Sequence, residues 1–238
     1  MTTTLLLARH GQTVWHAENR YAGSSDVALT DTGRAQAEAL GRWAAAHPVD
    51  AVWTSPLSRA VATAEPACRA LGLTPHREPD LRECDFGVVE GRTLAEFAAE
   101  DPERAAAFRA DPAARPFPGA EDPRAAADRG AAALRRITAA HPGGRVLVVA
   151  HNTLFRLVLC RLLAIPLSEY RRVFPRLRNA AVSEVRWDGR TSAALLSLNV
   201  PCEEAAPRHR PPGPGARGSP RESCPRRGFL PSARPREG

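Results

Sequence analysis

Short apolar runs alternate with longer amphipathic stretches along the first 200 residues of the chain. Residues 3–8 (TTLLLA) form a continuous run of the length expected for a strand covered on both faces of a parallel sheet. Thr30 or Asp31 then caps a helix reaching about Ala46, in which Ala37, Leu40, Trp43 and Ala44 recur at helical spacing. Residues 50–54 read as a second strand. Residues 56–71 read as a second helix with proline at its start, and residues 74–78 as a third, shorter strand. Residues 92–110 are Ala-rich and predicted helical. Pro112, Pro116, Pro118 and Pro123 make the next stretch irregular. A helix over 124–140 follows, then a buried strand over 145–150. Residues 153–163 are apolar on nearly every side, broken by Arg156 and Arg161, and predict a central helix. Residues 182–187 and 193–198 read as two late strands joined by a turn at Asp188-Gly189.

Strands alternating with helices predict an α/β three-layer sandwich, a mostly parallel central sheet with helices on both faces. The stretch at about 93–122 is too short for a domain of its own and reads as a small cap inserted in a domain spanning 1–200. No internal repeat is present. From Pro201 onward Pro, Arg, Gly and Ser dominate, and Phe229 and Leu230 are the large apolar residues. Such a segment buries too little apolar surface to offset the entropy of ordering it, so residues 201–238 are expected to be a disordered tail.

Charge changes this picture little. The formal net charge is +7, and the tail's eight Arg and four Glu account for four of it (8 − 4). The remainder is mildly basic, so no nucleic-acid partner is expected. Every basic residue is Arg. Cys68, Cys84, Cys160, Cys202 and Cys224 are odd in number and lack a CxxC pair, which disfavours a disulfide framework or zinc site and fits a reducing, cytoplasmic compartment. The opening apolar run is too short for a secretory signal, and no run is long enough for a membrane span.

Ligands of open α/β sheets bind at the carboxyl ends of strands. Three such ends carry distinctive residues: Arg9-His10-Gly11 after the first strand, Ser55-Pro56-Leu57-Ser58-Arg59 after the second, and His151-Asn152 after the late parallel strand. Two imidazoles and two guanidiniums would converge on one rim. Guanidinium matches phosphate oxygens with planar paired donors, and a neutral imidazole can carry a phosphoryl group covalently. The leaving alkoxide needs a proton donor. Glu83, after the third predicted strand, is the first candidate, and Asp85 two residues on is the alternative.

At these residues the chain resembles the histidine phosphatase superfamily, with its phosphoglycerate mutase-like fold, over roughly residues 3–200. The resemblance runs through Arg9-His10-Gly11-Gln12-Thr13, Asn19-Arg20-Tyr21-Ala22-Gly23, Leu29-Thr30-Asp31-Thr32-Gly33-Arg34-Ala35-Gln36-Ala37 and Ser55-Pro56-Leu57-Ser58-Arg59-Ala60. It continues through Leu81-Arg82-Glu83, Gly87, Glu90-Gly91 and His151. It implies a phosphohistidine on His10, phosphoryl binding by Arg9, Arg59 and His151, and proton transfer by Glu83. It also implies a substrate pocket lined by Gln12, Thr13, His16, Ala22, Gly23 and Asn152, with no metal or cofactor. Gln12 stands where the family often has Glu, His16 where many members have a phosphate-contacting Asn, and Asn152 where Gly is frequent.

The implied reaction is hydrolysis of a small phosphomonoester. The alternatives are a phosphoglycerate mutase-type transfer and a non-catalytic phospholigand-binding protein. Mutases of this family usually carry a longer insertion with a Lys and paired Arg, whereas this insertion is short and the chain has no Lys. Its Phe117-Pro118-Gly119-Ala120-Glu121 resembles the smaller phosphatases. Glu121 is expected either to line the pocket mouth or to cap the next helix, and Cys84 to be a core thiol. Arg171-Arg172 and Arg176-Leu177-Arg178 are expected on a solvated surface, with an anion patch as the alternative. The substrate is expected to be a small molecule, with no membrane partner.

Overall fold

The structure, a computed structural model, describes residues 1–190 and 193–202. The chain divides into two units, 1–205 and 206–238, and the second lies outside the described residues, as does nearly all of the expected tail.

Strands β1 (Thr3–Arg9), β2 (Ala51–Thr54), β3 (His76–Arg77), β4 (Arg145–Ala150), β5 (Val182–Trp187) and β6 (Ala194–Val200) form one sheet in the order β3-β2-β4-β1-β5-β6. The pairs β3–β2, β2–β4 and β4–β1 are parallel, and β1–β5 and β5–β6 are antiparallel. The two-residue period of a strand explains why residues 5–8 of β1 are apolar without interruption. Leu5 and Leu7 point into one core with Val146, Val148, Leu134 and Ile137. Leu6 and Ala8 point into the other with Leu147, Val149, Leu40 and Ala64. Helices α1 (Asp31–Ala45) and α2 (Ser58–Leu71) cover the second core, and α5 (Pro123–Ala140) and α6 (Asn152–Leu162) the first. This is the three-layer sandwich expected.

Local signals set the element ends. The Thr30 hydroxyl accepts from the Gly33 N–H at 3.0 Å, which settles the cap of α1 on Thr30. Helix α2 starts later than the proline suggested: Leu57 is extended, so Pro56 lies in the bend before the helix. The stretch expected as one helix over 92–110 is two, α3 (Leu94–Glu100) and α4 (Pro102–Ala110). Asp101 breaks them apart by leaving helical dihedrals and accepting from the Arg104 N–H, while Pro102 opens α4. These two helices and the loop after them bury Phe97, Ala105, Phe108 and Phe117 in a small core of their own, packed by Tyr21 and Phe86. A one-turn helix, α7 (Tyr170–Val173), has no periodic signature in the sequence. No helix among the described residues is long and apolar enough to cross a membrane.

Candidate active site

The carboxyl ends of β1 and β4 are neighbours in the sheet, Arg9 being in register with Ala150. The residues following them are therefore forced together. The His10 and His151 rings lie 5.2 Å apart, and the His16 ring lies 5.9 Å from that of His10. A cavity of about 310 Å³ opens over His10 and His16, with Arg9, Thr13, Glu83 and Asn152 among its walls, and the wholly buried His151 lies behind it.

Each imidazole is held in a defined state. His10 Nδ1 sits 2.7 Å from the Gly11 carbonyl, which can only accept, so Nδ1 carries the proton and Nε2 keeps its lone pair. Burial, reinforced by the Arg9 and Arg59 charges, holds the His10 pKa well below the ordinary histidine value, so the ring is neutral at pH 7. His151 Nε2 meets the Ser55 hydroxyl at 2.7 Å, while its buried Nδ1 has no partner. Its pKa is likewise well below the ordinary value, first through burial and then through Arg59. His16 is pushed down to about 4 by burial and by Arg9. The Thr13 N–H points at its Nδ1 (3.0 Å), and an Arg9 guanidinium nitrogen lies 2.7 Å from its Nε2. The Thr13 hydroxyl also stands 2.8 Å from Nδ1 and the Asn179 amide nitrogen 3.3 Å from Nε2, so donors from Arg9 and Asn179 converge on the Nε2 side of the ring.

Arg9 donates to the Leu177 carbonyl at 2.7 Å, and its Nε is buried without a partner. Burial lowers its pKa to about 10, still far above neutrality. Arg59 is wholly buried and lies behind the cavity wall. It donates to the carbonyls of Ala22, Gly23 and Ser25 and so ties the 22–25 loop beneath the site. Glu83 accepts from the N–H groups of Cys84, Thr153 and Leu154. The last two are first-turn amides of α6, so one helix start carries His151 as its cap residue and anchors Glu83.

The structure thus brings His10, His151, His16, Arg9, Thr13, Ala22, Glu83 and Asn152 to one place. Gln12 and Gly23 serve it from behind. The Gln12 carboxamide accepts from the Thr30 hydroxyl, and the Gly23 N–H is committed to Glu90. A Cβ at Gly23 would lie 2.2 Å from the Cys84 carbonyl, so this close approach requires glycine. Asp85 caps a turn by accepting from the Gly87 N–H and is not on the cavity wall. Glu121 neither lines the pocket nor caps α5, whose cap is Asp122; it pairs with Arg129 at 2.6 Å. Cys84 is buried, and burial raises its thiol pKa well above the ordinary value, as a core thiol requires. Arg171 departs from the solvated surface expected for it. It lines the cavity, stacked 4.8 Å over Phe108. Arg156 and Asn179 are further site residues that motif reading passes over. Asn179 donates to the His10 carbonyl at 2.8 Å. The visible signal for Arg156 is a lone guanidinium in an otherwise apolar helix.

Fold and rim together define an α/β protein whose strand ends hold neutral imidazoles beside a guanidinium-walled cavity. The histidine phosphatase superfamily (branch 1) model matches residues 5–200, and the chain belongs to that superfamily. "Bifunctional protein Rv2228c" of Mycobacterium tuberculosis is 36% identical over 196 residues, covering 82% of this chain and 54% of that protein. The chain thus spans about half the length of the first curated relatives it matches. "Probable phosphoglycerate mutase GpmB" of Cronobacter sakazakii is 34% identical over 180 residues, covering 75% of this chain and 82% of that protein. Among solved structures, a mycobacterial glucosyl-3-phosphoglycerate phosphatase aligns with a TM-score of 0.76 at 26% identity, covering 84% of this chain and all of that one.

Proposed function

We propose that the chain hydrolyses a small phosphomonoester through a phosphohistidine on His10. The observation that carries this reading is the His10 ring, neutral, with Nδ1 bonded to the Gly11 carbonyl and set 5.2 Å from His151. His10 Nε2 attacks phosphorus; a P–N bond forms and the ester P–O bond breaks. Glu83 gives a proton to the departing alkoxide. Its carboxylate then takes a proton from water, whose oxygen displaces His10 and releases phosphate. Arg9 and Arg59 supply positive charge, and His16 and His151 supply ring N–H donors, to the oxygens that gain charge in transfer. Relatives with mutase names favour one second reading, transfer from His10 to another alcohol in place of water.

Proton donation by Glu83 has its own test. Glu83→Gln is expected to slow an alkyl phosphate by about 100-fold or more, within the range of general acid catalysis. Hydrolysis of p-nitrophenyl phosphate, whose leaving group needs no proton, should fall much less. Equal losses on both substrates would remove Glu83 from the mechanism, and no release of phosphate from either by the parent protein would remove the hydrolase reading.

A further inference from the structure

Arg156 is 6% exposed, lies one turn along α6 from Asn152 and lines the same cavity. Among the described residues it makes no hydrogen bond or ion pair, and its Nε is buried without a partner. Its contact is the Tyr170 ring, 4.9 Å from the guanidinium carbon. Arg171 flanks the same ring at 5.7 Å and donates to the Tyr170 and Tyr21 hydroxyls. Two like charges thus share one aromatic platform, and among the described residues no carboxylate is paired to either. Arg20, on the same cavity wall, is different: Glu18 and Glu96 neutralise it. Glu83, the acid on that wall, is committed to three backbone N–H groups.

A buried guanidinium without hydrogen bonds is costly unless a ligand supplies the acceptors. The transferring phosphoryl group is not that ligand, because on the reading above its non-bridging oxygens are met at the His10 end of the cavity, by Arg9 and His16 on the wall. The geometry points to a second anion subsite: Arg156 and Arg171 bind an oxyanion on the alcohol side of the ester, so the substrate is a doubly anionic phosphomonoester. Asn152, with its Oδ1 buried and unpartnered, accepts a hydroxyl or amine proton from the same part of the substrate. This rests on the reading of His10 as the phosphoryl acceptor.

Two matched pairs of probes test it on the full chain. Glycerol 3-phosphate and 3-phosphoglycerate differ in one terminal group, a CH2OH or a carboxylate. Propane-1,3-diol monophosphate and its bisphosphate differ in a second phosphate. Titration into His10→Ala protein reads affinity without turnover. At least one anionic member is expected to bind about tenfold more tightly than its neutral counterpart, the equivalent of one charge-assisted contact; which one does so separates carboxylate from phosphate. Arg171→Gln and Arg156→Gln, each combined with His10→Ala, should bring that ratio close to one. Arg171 is half-buried, so its variant keeps the test open if Arg156→Gln fails to fold. Equal affinity within both pairs, or an unchanged ratio in a folded variant, overturns the subsite. A preserved preference in parent protein that hydrolyses none of the four would instead sink the phosphatase reading and leave the subsite standing.

Discussion

The arginines of the cavity and those of the flanks live under opposite rules. On the flanks, Arg129 pairs with Glu121 at 2.6 Å, Arg136 with Glu78 and Asp80 at 2.9 and 2.7 Å, and Arg145 with Glu184 at 3.0 Å. Burial works against the charge of Arg129, but the hydrogen-bonded Glu121 outweighs it and its pKa is raised; Arg136 is raised chiefly by its bonds to Glu78. At the site, Arg9, Arg59 and Arg156 have no carboxylate within ion-pair distance among the described residues, and burial lowers the pKa of all three. Flank charges are neutralised by the chain itself. The charges of Arg9, Arg59 and Arg156 are left for something the chain does not contain, while Arg20 at the cavity's edge follows the rule of the flanks. That difference, more than the number of arginines, marks the site.

Replacing one arginine from each group should break the comparison where it is most exposed. Arg9→Met is expected to cut turnover of a phosphomonoester about 1000-fold, the scale of losing one donor to developing oxyanion charge. Its urea midpoint should move little, because Arg9 has no carboxylate to orphan. Arg129→Met should act on stability first. It leaves the mostly buried Glu121 unpaired and frees the backbone of residues 80–83, which Arg129 holds through three carbonyls, at a cost of about 3 kcal/mol in urea unfolding. Arg156→Met, equally buried, should cost less than about 1 kcal/mol, since the methionine removes an unpaired charge. Similar losses of stability for Arg129→Met and Arg156→Met would erase the distinction.

Acid sharpens the comparison from the histidine side. His10, His16 and His151 have folded pKa values below their unfolded ones, so the unfolded chain binds more protons as pH falls. Their share of stability is intact above about pH 6.5 and is lost below it, by up to about 1.4 kcal/mol per pH unit for each ring. His151→Asn should flatten that decline by one ring's worth. A slope unchanged between the parent and the variant would show that His151 is not buried and neutral.

Elements whose signal is local were legible in the sequence, and contacts made at a distance were not. Residues 145–150 and 182–187 are strands within the predicted bounds: the first is apolar from Val146 to Ala150, as a central parallel strand requires, and the second carries Val182, Val185 and Trp187 ahead of the Asp188-Gly189 turn. The break at Asp101-Pro102 was also written locally, though alanine content masks it. At the site, Arg9, His10, Glu83 and His151 announced themselves by following strands, and the topology places strand ends side by side. Arg171 did not. It sits in a helix of four residues, and what draws it inward is Phe108 and Tyr21, far away in sequence. The role of Glu121 is hidden for the same reason: its partner Arg129 lies two turns along α5, and nothing near Glu121 names it.

The most direct test is to trap the proposed phosphohistidine on the protein. Parent protein mixed with phosphate-labelled p-nitrophenyl phosphate and quenched in alkali within milliseconds should retain label that survives base, is released by acid, and maps to the peptide holding His10. Label that withstands acid, or that persists in His10→Ala protein, would contradict the account.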